Sequence, residues 1–204
     1  MRLSFLVLSR LFGVYGLVLL LSSCATQAPL LAPADDEAWK ARRQALLELD
    51  TWQARGRIAV RADNDGWSAG FDWRQAGADY RIRLRGPFGQ GALELEGSER
   101  GVWLMRAGQP AVFSVDPEAL LEQESGWRLP VAGLDHWLRG LADNRGDAIS
   151  RLDATGRLAA LHQQGWQIDY RSYRDYGEYT LPSRLELQRD GLQIKVLVDA
   201  WELP

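Results

Sequence analysis

Residues 81–97 read RIRLRGPFGQGALELEG. Apolar and charged side chains alternate on both sides of a glycine-flanked centre, which is the period of two of a half-buried β-strand. With residues 87–90 as the loop and Gly86 opposite Gly91, Arg83 faces Glu94, Arg81 faces Glu96, Leu84 faces Leu93 and Ile82 faces Leu95. Every pair matches in charge or in apolarity. A slip of one residue would turn each side chain to the wrong face, so this stretch predicts an antiparallel hairpin of fixed register. It also explains Glu94 and Glu96 as the polar face of a strand rather than a catalytic pair of carboxylates. Its four-residue tip, Pro87-Phe88-Gly89-Gln90, places a bare aromatic ring where turns are normally polar. Either Phe88 packs on a neighbouring element or it projects, and the flanking glycines favour projection.

The same period continues outward from the hairpin. Upstream, Trp52, Ala54, Ile58, Val60 and Ala62 oppose Gln53, Arg55, Arg57 and Arg61, and Trp67, Ala69, Phe71 and Trp73 oppose Ser68, Asp72 and Arg74. Downstream, strands are expected at about 101–107 and 110–115, then at 148–152, 157–163, 166–173, 183–189 and 192–201. Asp190-Gly191 is a tight hairpin turn. Three helices interrupt the strands. One, over about 37–50, follows Asp35 and Asp36 as cap residues; a second opens at Asp116-Pro117-Glu118 and closes at Gly126; a third carries Leu134, Trp137, Leu138 and Leu141 at helical spacing. About eleven strands joined by short turns cannot remain a flat sheet, so they predict a mainly β fold, an open antiparallel half-barrel capped by helices. Nine tryptophans suit the wall of an apolar cavity as well as a filled core, and the alternation alone leaves that choice open.

Ahead of the domain, Arg2 and Arg10 flank or interrupt an apolar run that ends at Leu21-Ser22-Ser23-Cys24. Residues 1–23 have the form of a signal peptide. Cys24 is the sole cysteine, and its position after small residues resembles the lipobox of bacterial lipoproteins, in which the thiol is acylated and the preceding bond is cut. Residues 24–34, with two prolines between Ala25 and Ala34 and no charge, read as a flexible tether, and 35–204 as one domain. Without residues 1–23 the chain carries 22 basic and 27 acidic side chains, a balance that argues against nucleic acid as a partner. His136 and His162 stand at no metal-ligand spacing, and no nucleophile and base form a recognisable pair. Neither a metal, a cofactor nor an enzymatic activity is expected.

The lipobox, the hairpin at 81–97, LPVAGLDHWLRGL at 129–141 and LPSRLELQRDGLQIKVLVDAWEL at 181–203 together resemble LolB, the family of outer-membrane lipoprotein receptors of Gram-negative bacteria. The resemblance implies a half-barrel with a helical lid over an apolar cavity. It implies that the chain takes lipoproteins from the periplasmic carrier LolA, holds their acyl chains and inserts them into the inner leaflet of the outer membrane as a lipid-anchored monomer facing the periplasm. Cys24 would carry the anchor, and Ala25 and Thr26 lack the aspartate that marks retention in the inner membrane. The loop Pro87, Phe88 and Gly89 matches a protruding membrane-inserting loop that commonly bears leucine. Inward strand positions Ile58, Val60, Trp73, Ile82, Leu84, Leu93, Leu95, Trp103 and Ile168 are expected to wall the acyl-chain cavity, with Leu134 and Trp137 on the lid. The competing reading is a half-barrel lipoprotein that binds another lipid or scaffolds an outer-membrane assembly machine.

Overall fold

The computed structural model describes residues 37–62, 65–86, 92–126 and 128–204. Cys24, Pro87, Phe88 and Gly89 therefore lie outside the described residues, as do Asp35 and Asp36.

Helix α1 (Glu37–Glu48) leads into β1 (Thr51–Ala62), β2 (Asp65–Ala76), β3 (Asp79–Arg85), β4 (Leu93–Ser98), β5 (Gly101–Arg106) and β6 (Val112–Ser114). Helices α2 (Pro117–Ser125) and α3 (Val131–Arg139) follow, then β7 (Ala148–Leu152), β8 (Leu158–Gln163), β9 (Trp166–Tyr176), β10 (Tyr179–Arg189) and β11 (Leu192–Glu202). All eleven strands form one sheet in the order β6-β5-β4-β3-β2-β1-β11-β10-β9-β8-β7. Two antiparallel meanders are thus joined where β1 pairs with β11. The free edges are β6 and β7, and the segment connecting those edges carries both α2 and α3.

The hairpin at 81–97 adopts the register that its side chains predict: Arg81 opposite Glu96, Ile82 opposite Leu95, Arg83 opposite Glu94 and Leu84 opposite Leu93. Arg83 Nε donates to Glu94 at 2.9 Å, and Arg81 pairs with both Glu94 and Glu96. Asp190 and Gly191, at φ of 49° and 80°, make the left-handed two-residue turn between β10 and β11. Asp116 caps α2, accepting the Glu118 and Ala119 amides at 2.9 Å each, and Gly126 closes that helix at φ 80°.

Two boundaries differ from the sequence expectation. Helix α1 stops at Glu48, although Leu49 is buried beyond it. Strands β9 and β10 run on to Tyr176 and back from Tyr179, because Pro182 does not break the strand. The register shifts beside it, and this irregularity accommodates a residue with no amide to donate. A second irregularity, at Arg55/Gly56, brings β11 close to β1. A Cβ on Gly56 would lie 2.0 Å from the Leu197 carbonyl oxygen, so only glycine fits there.

Inward side chains of the sheet and the apolar faces of the helices make one continuous core. At one end Trp52 meets Trp73 and Trp201, with ring centroids 5.6 and 5.2 Å apart. Among the described residues no helix is long and apolar enough to cross a membrane.

Candidate functional site

Between the concave face of the sheet and the helices lies a cavity of about 50 Å³. Its sheet wall is Ile58 from β1, Phe71 and Trp73 from β2, Ile82 and Leu84 from β3, Leu95 from β4 and Val196 from β11. Its roof is Leu121 from α2, Leu129 from the linker, and Val131, Leu134 and Leu138 from α3. Every lining side chain is hydrocarbon or aromatic. An environment of this kind offers no hydrogen bond to a polar ligand and would strongly resist a charge, but it accepts apolar surface readily. It supplies no nucleophile, acid or base.

Six of the residues expected to wall a cavity do line it: Ile58, Trp73, Ile82, Leu84, Leu95 and Leu134. Val60 is buried on the same side of β1 but does not line the cavity, and Leu93 is only half-buried. Ile168 and Trp137 are fully buried in packing rather than at the cavity surface. Trp137 sits 6.3 Å from Trp166 and donates its indole N–H to Gln163 at 3.0 Å. Trp103 is a correction. It is 48% exposed on the outer face, beside Phe113 at 5.1 Å, while Val102 and Leu104 of the same strand point inward. Residues 102–105 are apolar on both faces, so period two could not choose between them, and the larger side chain stands outside. The sequence pattern does not single out the roof positions Leu121, Leu129, Val131 and Leu138 as cavity wall. The Asp116 cap located a helix there, but local sequence does not say which turn of a helix faces a cavity formed by distant strands.

The two roof helices are held very differently. Buried Arg139 of α3 donates to the Leu46 and Leu49 carbonyls at 3.0 and 2.8 Å, capping the end of α1. Burial lowers its pKa, and Asp135 beside it opposes that shift. Just past α3, the Asp143 amide and carbonyl both bond to the buried Gln163 side chain, at 2.8 and 2.7 Å. Burial pushes the Asp143 carboxyl up, but Arg145 outweighs this and holds its pKa below the ordinary value. Around α2 the polar bonds are mostly internal. Arg128 pairs with Asp116, Glu118 and Glu122, all within the same short segment. Burial raises the pKa of Glu118 despite that arginine. Among the described residues no cluster of three or more His, Cys, Asp or Glu is arranged to hold a metal ion.

A curled, open antiparallel sheet with a wholly apolar cavity beneath helices defines a half-barrel of the kind suited to sheltering hydrocarbon. The solved domain assigned to an outer-membrane lipoprotein-sorting protein of Vibrio parahaemolyticus shares the fold, with a TM-score of 0.50 over 81% of this chain and 88% of that one, at 11% identity. The family described as outer membrane lipoprotein LolB matches residues 50–201. The outer-membrane lipoprotein LolB of Pseudomonas paraeruginosa is 43% identical over 196 residues, covering 95% of this chain and 96% of its own. That of Pseudomonas putida is 39% identical over 191 residues, covering 92% and 93%. The chain belongs to the LolB family.

Proposed function

We propose that this protein is the outer-membrane acceptor that receives lipoproteins from a LolA-type carrier and passes them into the inner leaflet of the outer membrane. The observation that carries this reading is the wholly apolar cavity in a chain of the LolB family. Acyl chains cannot cross water unshielded, and a lining without polar groups takes them up with no covalent step, nucleotide or cofactor. Residues 1–23 are removed as a signal peptide, Cys24 carries the lipid anchor, residues 24–34 act as the tether and 35–204 as the working domain. The hairpin tip Pro87-Phe88-Gly89 enters the bilayer, where an aromatic ring is well accommodated. The protein works as a monomer.

The volume bears on how cargo is loaded. About 50 Å³ falls well short of the about 300–1,000 Å³ of pockets for sizeable ligands. On this reading, loading requires the roof to move. The test uses the lipidated protein in liposomes, incubated with a carrier loaded with a radiolabelled lipoprotein. Cargo should pass to the acceptor and then to lipid; cargo that stays on the carrier refutes the proposal.

A further inference from the structure

We infer that acyl chains enter the cavity beneath α2, at the β6 edge of the sheet, and that α3 stays in place while α2 moves. The inference rests on the proposed lipid-sheltering role of the cavity and adds the route. Both helices contribute to the roof, so either one could in principle be displaced. Their attachments decide between them.

Displacing α3 would strip Arg139 from two buried carbonyls of α1 and would separate Trp137 and Asp143 from the buried Gln163 side chain. Each broken bond would leave a polar group without water or partner. Besides Arg139, four buried side chains, Val131, Leu134, Trp137 and Leu138, would move with it. Displacing α2 asks for much less. Its cap at Asp116, its closing Gly126 and the Arg128 pairs all lie between residues 116 and 128 and travel with the helix. Among the described residues, two side-chain links tie this segment to the sheet: Ser114 of β6, whose hydroxyl donates to the Asp116 carbonyl and accepts from its amide at 3.0 Å each, and Arg106 of β5. Arg106 donates to the Glu124 carboxylate at 2.7 Å and to the Glu124 carbonyl at 2.8 Å, in a partly exposed position where both partners can rehydrate. Leu120 and Leu121 are the buried side chains that α2 would withdraw.

The surface beside α2 fits an entrance. Val112, Phe113 and Val115, on the strand and the turn that lead into this helix, are 37, 45 and 79% exposed. Apolar side chains left in water at the free edge of a sheet are otherwise unfavourable. Val112, opposite inward-facing Leu104, stands on the cavity side of that edge beside α2, while Phe113 shares the outer face with Trp103.

Hydrogen exchange on the full-length protein, without cargo, tests the mobile element directly. Amides in 118–126 should exchange at least tenfold faster than those in 132–140, and Arg106→Gln should accelerate only the former. Equal protection, or a more labile α3, overturns the inference. Uptake of a fluorescent palmitate analogue then tests the route. Joining R106C and E124C with a short, reductant-cleavable bis-thiosulfonate linker should reduce uptake at least tenfold, and reductant should restore it. The same linker between R145C and Q164C, which ties the loop after α3 to the β8–β9 turn, should change uptake less than twofold. Undiminished uptake across the 106–124 linker overturns the route. If the unlinked protein takes up no probe while α2 still exchanges fast, the lipid role of the cavity has failed and acyl entry falls with it, which differs from failure of the gate alone.

Discussion

At Arg139 a full charge sits in the core, and the geometry of a helix end explains it. The last carbonyls of a helix lack intrahelical donors, and those of Leu46 and Leu49 are covered by α3, so water cannot serve them. Nη1 of the guanidinium donates to both, while its Nε and Nη2 donate to the Asp135 carbonyl and carboxylate. Arg139→Met should cost about 3 kcal/mol, because it leaves two buried acceptors unpaired. For a domain of this size that corresponds to a fall in Tm on the order of 10 °C. Arg139→Lys should recover only part of the loss, since an ammonium group lacks the planar fork. Thermal and urea unfolding of the two variants beside wild type measure both effects. Equal stability of Arg139→Met and wild type would mean that α1 is held by Trp39, Leu46 and Leu49 alone.

Among the elements, the β7–β8 hairpin depends on one carboxylate. Asp153 accepts from the Thr155 amide and hydroxyl at 2.8 Å each, from the Arg157 amide at 3.1 Å and from Arg157 Nε at 2.9 Å. Arg157 in turn lies over the Tyr173 ring of β9, 4.7 Å from its centroid. Partial burial pushes the Asp153 pKa up, but these donors outweigh it and hold the pKa at about 2. A depressed folded-state pKa contributes stability that is fully present above the unfolded value and is lost as pH falls through the folded one. Wild type should therefore exceed Asp153→Asn in stability at pH 5, with the gap closing between about pH 4 and pH 2. Denaturant titrations of both proteins across that range give the difference; a gap independent of pH would show that the amide replaces the carboxylate bond for bond. The elements themselves were legible where local pattern sufficed. The hairpin at 81–97 announced its register through four matched pairs, and Asp116 and Asp190-Gly191 announced a cap and a turn. The polar strand ends at 174–176 and 179–180 carried no alternation to read. Gln163 and Arg139 are buried only because partners 26 and 93 residues away meet them, which no local window contains.

For the whole molecule, the proposed function gives capture and delivery to separate places. Phe88→Glu should leave stability within about 0.5 kcal/mol of wild type, as surface changes usually do. It should also leave transfer from the carrier intact, yet slow release into liposomes, because a carboxylate resists desolvation where the ring gains about 1.5–3 kcal/mol from burial. Cargo accumulating on the variant is the expected sign; release at the wild-type rate, or a clearly lower Tm, would make Phe88 a packing residue. Leu138→Ala acts on the cavity instead. Removing a roof side chain should cost about 2–4 kcal/mol of stability, since the space cannot fully collapse, and should lengthen cargo retention. A urea melt and the half-life of bound lipoprotein check the two together, and shortened retention would contradict the role of Leu138 as part of the roof.

The small size of the cavity has a further meaning on this reading. Leu120 and Leu121, buried beneath α2, cover apolar surface that an incoming acyl chain would cover, so the protein carries its own resident competitor. Loading is then an exchange of one apolar occupant for another, and the affinity for cargo is lowered by whatever holds the leucines in place. Unloading needs no other displacing agent: when the acyl chains begin to leave for the bilayer, the protein's own side chains take their place, and the emptied site has no exposed wall that would draw the cargo back.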